Sequence, residues 1–508
     1  MTNVAVATTS QLAADAAEEV ATAGGNAVDC ALAAALLTMN TEPGVCALAG
    51  SAFITVWQAD DEPVTIDGNV AVPGSGIGDD ERGQGAVSVS MKYGGGITTL
   101  VGPGSVATPG SLAAVECAWK RYGAVSWDTL FAPTIRATRE GFPLSGACHY
   151  YLGYSGDCVF GRSGDGHDAL HDSDGSLKSA GSDIVIPHLS DTLEAIAREG
   201  AGLLYEGELG ARIAAHCRNG GGMLTRGDLS SYRAIERRPL QAEIGRWRLA
   251  SNPPPAIGGS VLMAMLLACS DLSERAWNRK TLQQLIRTQR ACLDYRQRHL
   301  DCADDVAEAS AHLLEQVRGG QLLSRWTSAS TVHTSVVDSA GNACAITASS
   351  GYGSGEMPAG TGLWLNNCLG EIELNRRGLD AGPVGSRLPS NMAPSIARSD
   401  DAVLAVGSPG ADRITTALQQ FLINYLMFDM SLEDAIAHPR VHIDTSGEAP
   451  RLMAEPGLAL PDTDLPVTVF PEIVMYFGGV GAAVYNRNSG LASAADPRRE
   501  GGTCIYER

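Results

Sequence analysis

The chain is 508 residues long and carries 37 Lys and Arg against 57 Asp and Glu, a formal charge of −20. Hydrophobic residues make up 44% and charged residues 19%, which excludes a disordered chain, and the 59 glycines lack the every-third-position recurrence of collagen. So negative a balance repels a phosphate backbone and excludes nucleic acid as the expected partner.

From the N-terminus, apolar spacing over residues 10–22 and 26–39 predicts two helices, and Ala52-Phe-Ile-Thr-Val-Trp57 predicts a buried strand. Breakers at Pro73, Gly74, Gly76, Gly78 and Gly94–Gly96 then open a run of loops. Residues 110–141 and 190–218 each read as a pair of helices. Between them, 153–185 is rich in Gly, Ser, Asp and His with little apolar periodicity, and reads as a long surface loop or lid. Helices resume at 258–270, 281–300 and 304–316. From Thr331 the character changes: Thr331–Asp338, a turn at Ser339-Ala-Gly341, and Asn342–Ala348 carry the signature of a β-hairpin. Further strands are expected at 395–398, 402–407, 480–486 and 503–507, with helices at 412–428 and 431–437. Strands and helices fall in blocks rather than alternating as βαβ units, which favours a layered α+β fold.

No apolar run reaches the ~18 residues of a membrane span. Residues 1–20 hold no basic stretch followed by an apolar one, so the expected location is the cytoplasm. The 12 cysteines form no C-x-x-C pair and read as reduced, buried small hydrophobes, and no metal site is expected. Phosphate-loop, zinc-protease and nucleophile-elbow motifs are absent. Gly351-Tyr-Gly353-Ser-Gly355 looks like a dinucleotide loop but does not join a strand to a helix in a βαβ unit. Asp165-Gly-His167-Asp168 with His171-Asp172-Ser-Asp174 offers cation ligands, against the plainer reading of a solvated polar loop.

The informative stretch is Ser330-Thr331-Val332-His333-Thr334-Ser335-Val336-Val337-Asp338. A threonine opening a strand after a breaker-rich segment suits one chemistry. Its hydroxyl attacks the preceding carbonyl, the acyl group shifts from N to O, and a new N-terminus is released. The freed α-amine, with a reference pKa of roughly 7.7–8.0, then serves as base for the same hydroxyl. His333, two residues on, shares the strand face of Thr331 and reads either as a supporting group or as a packed, hydrogen-bonded core histidine.

The surrounding pattern resembles the γ-glutamyltranspeptidase family of N-terminal-nucleophile hydrolases. The segments run in the family's order over nearly the whole chain, beginning with Gly24-Gly-Asn-Ala-Val-Asp29, Thr108-Pro-Gly110, Arg139-Glu-Gly-Phe142 and Asn252-Pro-Pro-Pro255 with Gly258-Gly259. After Thr331–Asp338 come Gly360-Thr-Gly362 with Asn366-Asn367, Ser390-Asn-Met-Ala-Pro394, Gly407-Ser-Pro-Gly410, His438-Pro-Arg440 and Ala495-Asp-Pro-Arg498. The resemblance implies a four-layer αββα sandwich made as one precursor and cut between Ser330 and Thr331. The products would be a large subunit, 1–330, and a small subunit, 331–508. It implies Thr331 as nucleophile, Ser349 supporting its amine, and the N–H groups of Gly410 and Ala411 as the oxyanion hole. Glu371 would hold a substrate amine, and Ser390 and Asn391 a carboxylate. No cofactor is implied.

The departures bear on specificity. Asp67-Gly-Asn69 places Asn69 where the family carries an arginine, and a neutral amide cannot replace a bidentate carboxylate clamp. Cys368 stands in for a polar donor. Arg413 either substitutes as carboxylate anchor or forms a salt bridge at a helix start. His438-Pro-Arg440 and Ala495-Asp-Pro-Arg498 read as turns. The expected activity is cleavage of a small acyl-amide, γ-glutamyl-like, glutaryl-like or a 2-oxo-acid amide, through a threonine ester. The alternatives are a true glutathione-type γ-glutamyl hydrolase or transpeptidase, and an unprocessed, silent homologue acting as a binding protein. Assembly into a homo-oligomer is compatible with either.

Overall fold

The computed structural model describes residues 2–92, 96–161, 164–272, 274–301, 303–319, 331–372, 374–445 and 449–507. Ser330, half of the expected cut site, and Gly94 and Gly95 lie outside them. Helix α1 (Gln11–Thr22) starts on Ser10, whose hydroxyl accepts from Ala13 N. Helix α2 (Ala27–Thr41) starts on Asn26, whose side chain accepts from Val28 N and Asp29 N while Asp29 accepts from Asn26 N. Gly24, at φ +98°, supplies the left-handed turn between the helices. The first family segment is thus a capping box. All of α2 is buried, as an all-round apolar helix must be. Helices α3 (Ser111–Tyr122) and α4 (Trp127–Glu140) follow as expected.

Two antiparallel sheets organise the rest. Their strands, in chain order, are β1 (Val4–Thr8), β2 (Ser51–Trp57), β3 (Val64–Gly68), β4 (Ile235–Arg237), β5 (Leu240–Ile244), β6 (Trp247–Ser251), β7 (Val332–Asp338), β8 (Ala343–Ser349), β9 (Ser395–Arg398), β10 (Ala402–Gly407), β11 (Gly481–Asn486), β12 (Gly490–Ala495) and β13 (Gly502–Tyr506). One sheet runs β13-β1-β7-β8-β2-β3-β4 and the other β12-β11-β10-β9-β6-β5. Ala5, Val337, Ala343 and Ala345 of the first sheet meet Ala250, Ile396, Ala405 and Ala483 of the second in one buried apolar cluster. Side chains this small let the sheets approach closely. Helix α2 packs on β7 and β8. Helices α5 (Gly258–Leu267) and α7 (Arg413–Leu422) pack on the second sheet, and α6 (Arg279–Tyr295) packs on α5.

The β7–β8 hairpin has the expected register, Val337 opposite Ala343. Asp338 Oδ1 accepts from Ala340 N and Asn342 N, both at 3.0 Å, and Gly341 turns at φ +87°. The stretch 153–185 corrects the expected surface loop. Val159, Phe160, Leu170 and Ile184 are buried, Asp165–Leu170 is a short helix, and Phe160 stands edge-on to Trp364 at 5.0 Å. A few apolar anchors outweigh the polar composition. Among the described residues no group of three His, Cys, Asp or Glu is placed to hold a metal ion, and no helix is long and apolar enough to cross a membrane.

His333 is buried on β7 and touches Gly407 of β10, where a Cβ would overlap its ring. Ser335 Oγ donates to Gly481 O at 3.1 Å, so it accepts from His333 Nε2 at 2.7 Å, and Nδ1 is left to accept from Thr347 Oγ1 at 2.8 Å. This is the packed core histidine of the two readings. Burial holds its pKa down at about 3, against 6.5 ordinarily. The unfolded chain therefore binds a proton that the folded one refuses. Stability from this site is full above the unfolded pKa and is lost as pH falls toward the folded one. His333→Gln, which keeps a donor and an acceptor, should flatten the fall of the urea midpoint between about pH 7 and pH 4. An unchanged difference between the two proteins across that range would contradict this.

Candidate active site

The two sheets deliver their strand ends to one place. Thr331 immediately precedes β7, and Ser349 ends β8 opposite Ser51 of β2. Asn69 follows β3, whose Gly68 lies opposite Ala52. From the second sheet, Ser390 and Asn391 lie just before β9, and Gly410 and Ala411 just after β10. A small pocket, with a cavity volume of about 30 Å³, opens there, lined by Thr331, Ser349, Asn69 and Glu371 and by Ser390, Asn391 and Ala411. Ser51, Cys368 and Asn375 complete its polar wall. Seven of the nine candidate catalytic and binding residues thus meet across more than 300 residues of sequence.

Thr331 is buried, 4% exposed. Ser349 Oγ accepts from Gly351 N at 3.1 Å, and Ser51 Oγ donates to Ser349 O at 3.0 Å. Gly351, at φ +68°, leaves room for Glu371, because a Cβ there would stand 2.9 Å from Glu371 Oε2. The Gly351–Gly355 cluster is therefore a close-packed loop rather than a dinucleotide cradle. The Cys368 thiol is pushed well up by burial and then by the adjacent Glu371 carboxylate, with which it is hydrogen-bonded.

Asn69 donates from Nδ2 to Leu388 O at 2.6 Å, and its backbone N–H goes to Asp67 Oδ1 at 2.9 Å. Asp67 is in turn paired with Arg237, at 2.7 Å, and Arg387, at 3.4 Å. Ser390 Oγ accepts from Met392 N at 3.3 Å. Asn391 Nδ2 donates to Asp412 Oδ1 at 2.8 Å, and the same oxygen takes Arg296 Nη1 at 2.5 Å. Arg296, in a π-helical turn over Arg296–Leu300, also donates from Nε to Asp301 at 2.8 Å. Burial pushes the Asp301 carboxyl up to about 6 against the pull of Arg296.

Gly410 and Ala411 both turn at positive φ, +120° and +69°. Ala411 is on the pocket wall; Gly410 lies one residue behind it. Arg413 corrects the expectation of a substitute carboxylate anchor. Its guanidinium lies 4.2 Å over the Tyr476 ring and is absent from the wall. Burial would lower its pKa, but Tyr476, Asp444 and Asp412 raise it instead. Arg296 and Asp412 escaped sequence reasoning, since no motif marks a buried pair separated by more than a hundred residues. Ser51 escaped it because only the β2–β8 register brings it to Ser349.

Two antiparallel sheets packed face to face, with hydroxyls and a carboxylate gathered at one shared end, are the architecture of the N-terminal-nucleophile hydrolases, which cleave amides or transfer acyl groups. The family model for gamma-glutamyltranspeptidase matches residues 13–506, and the chain belongs to that family. It is 27% identical to the glutathione hydrolase proenzyme of Escherichia coli (strain K12), over 86% of this chain and 79% of that protein. It is 26% identical to the acylase ACY 1 proenzyme of Pseudomonas sp. (strain SE83), over 98% of this chain and 92% of that protein. The crystal structure of cephalosporin acylase from Bacillus halodurans superposes with a TM-score of 0.78 at 21% identity, covering 100% of this chain and 96% of that one.

Proposed function

We propose that the chain is a self-processing amidase or acyltransferase, a four-layer αββα sandwich cut between Ser330 and Thr331 into subunits 1–330 and 331–508. The observation that carries this reading is that Thr331, Ser349 and Ala411 share one pocket wall. In the cut enzyme the α-amine of Thr331 takes the hydroxyl proton as Oγ adds to the acyl-amide carbonyl. The oxyanion accepts from the N–H groups of Gly410 and Ala411, donors worth about 2.7–4 kcal/mol where one has been removed. Collapse breaks the C–N bond, the amine leaves with the proton, and a threonine ester remains. Water or an acceptor amine then resolves the ester. Nucleophile and base are one residue, so the scheme calls on no metal or organic cofactor.

The relatives named glutathione hydrolase and acylase support small acyl-amides as substrates. Asn69 favours the acylase side of that range over a glutathione-type donor. The test is denaturing electrophoresis of the purified protein. Two bands, the smaller beginning at Thr331, are expected. A single full-length band that persists through prolonged incubation would favour the silent binding protein instead.

A further inference from the structure

Apart from its serine and threonine hydroxyls, the acyl pocket offers acceptors rather than donors. Three asparagines stand on its wall, and each commits its amide nitrogen elsewhere: Asn69 to Leu388 O at 2.6 Å, Asn375 to Leu369 O at 2.9 Å and Gly378 O at 2.7 Å, Asn391 to Asp412 at 2.8 Å. The orientation of Asn391 is forced. Asp412 Oδ1 already accepts from Arg296, so only an N–H₂ can face it. That leaves Asn391 Oδ1 as the remaining acceptor, buried without a hydrogen-bond partner on a pocket-lining residue 4% exposed. A buried orphan acceptor is costly unless a ligand supplies the donor. Glu371, 4% exposed, adds a carboxylate to the same wall. Among the described residues the wall holds no lysine, arginine or histidine. Arg237 and Arg387 are held at Asp67, and Arg413 is stacked on Tyr476.

We infer that this pocket selects an acyl chain that carries an amine and no carboxylate, the acyl part of an amino-acid amide stripped of its acid group. The inference rests on the reading of the Thr331 pocket as the acyl site. An ammonium placed there donates to Glu371 and Asn391 Oδ1. A carboxylate placed there meets a like charge and a lone-pair acceptor, and finds neutral hydroxyls but no side-chain cation to offset its lost hydration. Arg296 and Asp412 act as positioning residues, because they decide which end of the Asn391 amide the substrate meets.

Four p-nitroanilides with one leaving group separate the two charges: 4-aminobutyryl (amine only), γ-glutamyl (amine and carboxylate), glutaryl (carboxylate only) and butyryl (neither). With enzyme-free lactam formation subtracted, kcat/KM for 4-aminobutyryl should exceed that for glutaryl by about 100-fold or more. It should also equal or exceed that for γ-glutamyl. In Glu371→Gln the advantage of 4-aminobutyryl over butyryl should shrink to within about threefold. Glutaryl or γ-glutamyl ranking first overturns the inference while leaving the amidase reading intact. Should none of the four turn over, calorimetry with 4-aminobutyramide and glutaramate decides it. Tighter binding of the amine sustains the pocket assignment and removes the amidase reading. Tighter binding of the carboxylate, or of neither, overturns the inference.

Discussion

Replacing Thr331 by alanine is expected to leave the 508-residue chain uncut and to lower amide turnover by roughly 10⁴-fold or more. The size of the effect follows from economy of parts. In the proposed mechanism the hydroxyl performs the cut that frees the α-amine, and the amine then serves that same hydroxyl as base, so one substitution would remove nucleophile and base together. Thr331 is buried at the head of a strand paired along its length, so the methyl left by alanine is accommodated without moving β7. Thr331→Ser keeps hydroxyl and amine and should still be cut and still turn over. Turnover retained in Thr331→Ala would remove the residue from its role.

Gly410→Ala is expected to lower kcat by about 100- to 1000-fold, with the thermal midpoint measured alongside to show that the protein still folds. Gly410 sits at φ +120°, where side chains are strained, and a Cβ would come 2.7 Å from Gly478 Cα, itself at a left-handed glycine. The turn must open, and the N–H groups of 410 and 411 would lose the aim that the proposed mechanism gives them. Ala411→Gly is the control. At φ +69° the change relieves strain while keeping the N–H, so kcat should stay within about threefold. Equal losses in both variants, or none in Gly410→Ala, would take the oxyanion role away from this turn.

Much of the layout was legible in the sequence, for reasons that differ along the chain. The β7–β8 hairpin announces itself because a Gly341 turn separates two β-rich runs. Strand β1 does not. It is buried from Val4 to Thr8 without alternation, having a sheet partner on both edges and packed layers on both faces. Strand β12, Gly490–Ala495, is built of small residues with little strand preference, and only its pairing with β11 defines it. The candidate residues Asn69, Glu371 and Asn391 were matched to the family position by position. No periodicity brings positions 69, 331 and 411 together; strand register does. Arg413 illustrates the opposite failure. Its position beside the Gly410–Ala411 turn suggested an anchor, but the first turn of α7 aims it at Tyr476. The segments His438-Pro-Arg440 and Ala495-Asp-Pro-Arg498 read as turns, yet they interlock through Asp496, which pairs with Arg440 at 2.6 Å and Arg498 at 3.0 Å. A buried ion network is invisible when its partners lie on separate elements.

In the proposed mechanism Thr331 carries the acyl group as a new N-terminus. The direct measurement is rapid acid quench of the enzyme during turnover of an activated acyl-amide, followed by proteolysis and mass analysis of the Thr331 peptide. A peptide beginning at Thr331 whose mass is increased by the acyl group is expected, the label being absent from Thr331→Ala. An acyl group on any other residue, or a Thr331 peptide still joined to Ser330 in the active enzyme, would contradict it.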